Sequence, residues 1–207
     1  MNIDATAHET AEAAFQPPSL YVNRAFYDWL VEVSADWTRA ILRDDVSVDD
    51  GLRRHVEELL WYESRLLDQR AFELWIELFV DECAYWIPAA QPAPDPRTAV
   101  TLEFHDRRRL LDRIARLKTG FAYSQIPASR TSRIVSGLEI WASPGCDDEW
   151  RARCSFLLAE SRQGKARWLG GWNGFVLRKN RDGLRIVVKQ VNLLDCDYPQ
   201  GNNSFFL

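Results

Sequence analysis

The sequence predicts an α+β domain in which a strongly curved, mostly antiparallel sheet wraps round helices on one face. Three observations point there. In the first half of the chain apolar residues recur at steps of three and four, the spacing of a helix stripe. From Arg130 onward they alternate, the spacing of half-buried strands. Tight-turn sequences separate the alternating runs, so those strands are expected to pair as an antiparallel meander.

Residues 1–19 end in Pro17-Pro18 and are expected to form a loose arm, followed by a helical extension over 20–51 and the main domain over 52–207. In the extension, Val22, Phe26, Trp29, Leu30, Val33, Trp37, Ala40 and Ile41 fall on one stripe. That stripe covers either the domain's own sheet or a partner. Asp44-Asp45 and Asp49-Asp50-Gly51 break it. A second helix starts near Leu52, with Val56, Leu59, Leu60 and Leu67 on one face. Asp68-Gln69-Arg70 interrupts the chain, and Phe72, Trp75, Ile76 and Phe79 continue a helical stripe. Cys83 to Ile87 then reads as a strand closed by Pro88.

Pro92, Pro94 and Pro96 make the next stretch a loop, because each removes a backbone donor. Val100, Leu102 and Phe104 alternate as a short strand. Leu110, Leu111, Ile114 and Leu117 return to helical spacing, with Asp106 as N-cap and Gly120 as stop. Four long strands follow, over about Arg130–Trp141, Trp150–Leu158, Ala166–Lys179 and Leu184–Lys189. Gly170-Gly171 is expected to bend the third of these, and Asn180 to Gly183 is a hairpin turn.

Composition narrows the function classes. Net charge is -4 and no long basic run occurs, which argues against nucleic acid as a main partner. No run of about 20 apolar residues suggests a membrane span, and the acidic start is unlike a secretory signal. The four cysteines lie far apart without a C-x-x-C pair, so free thiols in a reducing cytoplasm are expected. Nine Trp, ten Phe and six Tyr point to one of two things, an aromatic core or an obligate oligomer.

Three segments carry a resemblance. Glu63 to Asp68 with Phe72-Glu73-Leu74-Trp75 and Tyr85-Trp86-Ile87-Pro88 is similar to the opening of aromatic-ring-hydroxylating dioxygenase β (small) subunits. Ser129 to Leu138 resembles their first long strand. Val191 to Asp197 and Pro199 to Leu207 resemble their tail, so the resemblance spans roughly Leu52 to Leu207. It departs in the fifty residues before that region and in the two tryptophans of Trp168 to Asn173.

The resemblance implies a nuclear-transport-factor-2-like (cystatin-like) fold: a cone-shaped sheet with helices packed on its concave face. It implies a structural and assembly role, with catalysis resting on a large α subunit. That partner would carry a Rieske [2Fe-2S] cluster and a mononuclear non-haem iron. The small subunits would form a trimer within an α3β3 hexamer, and ferredoxin or reductase would act through the α subunit. Neither nucleic acid nor membrane is an expected partner.

The residues are consistent with that division of labour. A Rieske centre needs two Cys and two His, and His8, His55 and His105 pair with no cysteine at C-x-H spacing. A facial-triad iron needs two His and a carboxylate, and no such pattern links His55 and His105. No catalytic, cofactor-binding or metal-ligating residue is therefore expected here. An alternative is a free-standing cone-fold lyase or isomerase, with His105, Asp68 or Asp81, and Tyr85 as an acid/base set. Against it, both aspartates read as helix ends, His105 as a cap and Tyr85 as core. A third reading is a small-molecule-binding module.

Arg107-Arg108-Arg109 reads as a solvated face, since three adjacent helix positions cover much of the circumference. Arg130 and Arg133 are better placed for buried or interfacial ion pairs. Asp195-Cys196-Asp197 reads as a turn rather than a metal site. The apolar Phe205-Phe206-Leu207 is expected to dock, on a neighbouring subunit or on the protein's own sheet.

Overall fold

A computed structural model describes residues 24–39, 48–120, 122–201 and 203–207. The expected arm over 1–19, and Val22, Ala40, Ile41 and Asp44-Asp45, lie outside the described residues. Among the described residues, four helices and one six-stranded sheet make an α+β fold. The helices are α1 (Arg24–Thr38), α2 (Asp50–Asp68), α3 (Phe72–Ile76) and α4 (Arg107–Lys118). The strands are β1 (Phe79–Pro88), β2 (Thr101–His105), β3 (Arg130–Ala142), β4 (Glu149–Arg162), β5 (Lys165–Asn180) and β6 (Gly183–Leu193). A 3-10 turn spans Tyr123–Gln125. No helix among the described residues is long and apolar enough to cross a membrane.

Helix ends follow local chemistry. Asp49 caps α2 by accepting from the Leu52 amide at 2.9 Å, and Asp106 caps α4 by accepting from Arg109 at 2.7 Å. After α2, Arg70 takes φ 58°, which turns the chain into α3. The helical stripe expected through Phe79 stops at Ile76, and the strand starts at Phe79 rather than Cys83. The reason is tertiary: the Leu78 carbonyl accepts from Ile186 N at 2.7 Å, so β6 captures the chain there. Asp81 consequently lies in a strand, not at a helix end.

The strand order is β2-β1-β6-β5-β4-β3. All pairs are antiparallel except β1 with β6, which is parallel. The expected meander is β3 to β6. Gly170 and Gly171 pair with Leu157 and Phe156 without a register break. Gly171 is needed for close approach, because a Cβ there would sit 1.9 Å from the Asn192 carbonyl oxygen.

Strand alternation sends side chains to two separate cores. On one face, Tyr85, Cys154, Phe156, Phe175 and Val191 pack with α2, α3 and α4. On the other, Ala84, Trp86, Trp141, Val176 and Val188 pack with Leu30, Val33 and Trp37 of α1. The first helix thus departs from the expected one-sided arrangement, and its stripe covers the chain's own sheet. Arg151, 1% exposed, pins it by pairing with Asp36 at 2.8 Å and Glu32 at 3.0 Å. Trp141 Nε1 donates to Asp36 at 2.7 Å. A register shift beside Val176 lets both Val187 and Val188 join this second core.

Candidate functional site

The space between the sheet and helices α2–α4 is where a fold of this layout would hold a ligand. Here it is filled by the chain itself. Phe205, Phe206 and Leu207 are all buried. The Phe206 ring lies 4.6 Å from Trp75 and 5.2 Å from Phe72, centroid to centroid, and Arg113 stacks over it at 4.3 Å. Of the two docking places expected for this tail, the protein's own interior is the one occupied.

Polar groups hold the tail by its backbone. The Tyr85 hydroxyl accepts from Leu207 N at 2.9 Å and donates to Leu207 O at 3.1 Å. Lys189 Nζ donates to the same oxygen at 2.8 Å and to Glu63 Oε1 at 2.7 Å, where Trp75 Nε1 also donates at 2.8 Å. Arg113 donates to Phe205 O at 2.8 Å and to Asn203 O at 3.2 Å, and Arg133 donates to Phe206 O. Burial pushes the Tyr85 phenol well above its ordinary pKa and pulls the Lys189 ammonium down, the latter opposed by Glu63.

The acid/base set considered from sequence is not assembled. His105 stacks on Tyr85 with centroids 6.3 Å apart, but the phenol is already committed to Leu207. Asp68 ends α2 and is held by Thr131 Oγ1 and Arg133 N, each at 2.9 Å, and by the Arg133 guanidinium. Asp81 is 82% exposed beside Arg107. His105 ends β2 and caps no helix; Asp106 does that. Its Nε2 lies 3.6 Å from Glu103.

Other expectations resolve locally. Arg133 forms a buried ion pair with Asp68 as expected, whereas Arg130 is exposed. The run 107–109 divides. Arg107 donates to the carbonyls of Ile76 and Phe79, Arg108 is exposed, and Arg109 lines a cleft beside β2. Sequence reading missed the partners of Arg109, namely Arg113 and Arg116. Their i, i+4, i+7 spacing was the available signal. Among the described residues no group of His, Cys, Asp and Glu is placed to hold a metal ion. Asp195-Cys196-Asp197 is a turn.

A second feature is an uncovered stretch of sheet. Along β4, residues at even positions from 150 to 160 face the helices, and those at odd positions face the other way. Helix α1 covers that outer face as far as Arg151 and Arg153, whose guanidinium donates to Trp37 O at 2.6 Å. Beyond it Ile134 is 61% exposed, Leu157 42%, Trp168 66% and Leu194 76%. Ile134 pairs with Leu157, and Leu157 with Gly170. A Cβ on Gly170 would touch both Leu157 and Leu194, so these side chains form one apolar stripe.

Residues 62–199 match the family described as ring hydroxylating beta subunit. The chain belongs to that family. It is 32% identical over 161 residues to the small oxygenase component of the p-cumate 2,3-dioxygenase system of Pseudomonas putida, covering 75% of this chain and 87% of that one. It is 29% identical over 143 residues to the 2-halobenzoate 1,2-dioxygenase small subunit of Burkholderia cepacia, covering 67% and 86%. Two solved structures share its fold. One is a chain of naphthalene 1,2-dioxygenase with indole bound, at TM-score 0.70 and 19% identity, covering 90% of this chain and 100% of that one. The other is an NTF2-like protein with a cystatin-like fold from Novosphingobium aromaticivorans, at TM-score 0.52 and 21% identity, covering 69% and 82%. As a β subunit, the chain is part of a multicomponent ring-hydroxylating dioxygenase.

Proposed function

We propose that the chain is the non-catalytic, assembling subunit of its oxygenase, holding large α subunits in register. The α partner carries the Rieske cluster and the mononuclear iron, three small subunits form the trimer, and the whole is an α3β3 hexamer in the cytoplasm. Electrons from ferredoxin or reductase enter through the α subunit. The observation that carries this reading is the apolar stripe of Ile134, Leu157, Trp168 and Leu194, which a single chain leaves in water. The tail-filled interior supports it too, because the buried acid/base groups are spent on backbone atoms. The fold neighbours support a cone-shaped, strongly curved sheet with α2 to α4 on its concave face. Helix α1 is read as an extension, 20–51, added to the domain 52–207.

The substrate class we propose is an aromatic carboxylate, the kind of compound named in the p-cumate and 2-halobenzoate relatives. The test is to purify the tagged chain from its own host with partners attached. A large mixed oligomer with iron on the heavier chain is the expected result. A lone chain without a partner overturns the assembly role. Oxygen uptake on benzoate and p-cumate but not on benzene is expected of the complex.

A further inference from the structure

An open cleft of about 580 Å³ lies between the outer edge of β2, helix α4 and the tail at Asn203 and Ser204. Its volume is that of a small-molecule site. Arg109, Arg113 and Arg116 occur at i, i+4 and i+7 of α4, so one helix face presents three guanidinium groups to it. Among the described residues Glu103 is the single carboxylate on its walls, and Arg113 already pairs with it. Three arginines against one glutamate make a locally positive cleft on a chain of net charge -4. His105 adds a buried Nδ1 with no hydrogen-bond partner. Leu102 and Leu117 supply apolar surface, while the Phe104 ring is already packed on Tyr27 and Trp86.

The three arginines are not equivalent. Arg113 is spent on Glu103 and the tail carbonyls. Arg109 uses one nitrogen on Phe104 O at 3.3 Å, and the Arg116 guanidinium has no hydrogen-bond or ion-pair partner among the described residues. Both are exposed, so neither must break a buried contact to engage a ligand. A guanidinium presents paired donors that match the two oxygens of a carboxylate.

We propose that this cleft binds a small aromatic monocarboxylate, its carboxylate on Arg109 and Arg116 and its ring against Leu102 and Leu117. The proposal rests on the reading that the oxygenase handles aromatic carboxylates. The same charge chemistry is available from a glutamate or aspartate side chain of a partner, which lacks the ring.

The test is a fluorine NMR titration of 4-fluorobenzoate into the full-length chain. Saturable binding is expected, displaced by benzoate but not by uncharged benzamide. Arg109→Gln and Arg116→Gln should each weaken it about tenfold, the loss of one charge-assisted contact. Arg108→Gln, exposed on the same helix but outside the cleft, should leave it unchanged. Absence of saturable binding, or equal affinity in the Arg109→Gln/Arg116→Gln double variant, overturns the proposal. Displacement by acetate as readily as by benzoate also overturns it, in favour of a partner's carboxylate side chain. Oxygen uptake by the assembled enzyme separates the two claims. Turnover of carboxylates without binding here sinks the cleft alone, whereas turnover restricted to uncharged arenes sinks the substrate class.

Discussion

The Tyr85 hydroxyl and the Leu207 backbone exchange two hydrogen bonds, one given and one received, in the buried interior. Tyr85→Phe removes both and leaves the Leu207 amide N–H without its acceptor. The expected loss is about 1–3 kcal/mol in urea unfolding, with an unchanged m-value. An unaltered midpoint would show that the tail is not held there. Phe206→Ala, which empties the centre of the aromatic cluster, should cost more, about 3–5 kcal/mol.

Helix α1 rests on a buried charge and a missing side chain. Asp36→Ala strands Arg151 beneath the helix with only the half-exposed Glu32, and about 3–5 kcal/mol should be lost. Gly174→Ala would place a Cβ 2.5 Å from the Trp37 ring and push the helix outward. Hydrogen exchange over Arg24–Thr38 should rise in both variants. Protection equal to wild type in both would mean that the helix is anchored elsewhere.

Buried thiols make stability fall in alkali. Burial raises Cys83 and Cys154 from an ordinary value of 9.0 to about 12. Their folded pKa exceeds the unfolded one, so their contribution is full below pH 9 and is lost as pH rises toward about 12. At about pH 10.5 each should cost about 2 kcal/mol relative to neutral pH. Cys154→Ala should flatten the urea midpoint between about pH 8 and about pH 10.5, and an unchanged slope would contradict the assignment. In the native chain a thiol reagent should react rapidly with Cys146, the exposed cysteine, and slowly with the buried Cys83, Cys154 and Cys196.

The sheet stripe should separate folding from assembly. Leu157→Asp with Ile134→Asp changes residues already in water, so monomer stability should move by no more than about 0.5 kcal/mol per site. The native mass of the complex should fall. A full-sized complex from the double variant would remove the stripe from the interface.

Local patterns were readable where local physics decides. Alternation from Arg130 revealed the meander, Asp106 and Gly120 bounded α4, and Asn180 to Gly183 marked a hairpin. The readings failed where distant segments decide. Phe79 looks helical in sequence and is a strand because β6 bonds to Leu78. The stripe on α1 does not say which face of the sheet it meets; Gly174 opposite Trp37 does, and only once the strands are registered. The three arginines of the cleft had a visible spacing, but adjacent Arg107 and Arg108 masked it. Phe205-Phe206-Leu207 announced burial without an address, since three apolar residues fit any apolar surface.

The parallel pairing of β1 with β6 carries a cost in time. Tyr85 lies beside Lys189, more than a hundred positions later in the chain. At a synthesis rate of about 5–20 residues per second, β1 emerges on the order of 5–20 s before the strand that completes its hydrogen bonding. During that interval β1, which carries Tyr85 and Trp86, has only the short β2 of its two strand neighbours. The nascent chain therefore passes through a state with an open, sticky strand edge, and contacts of this sequence separation also slow closure once β6 is made. Yield in a heterologous host should thus depend on chaperone supply and growth temperature, even though the finished molecule is tied together at many points.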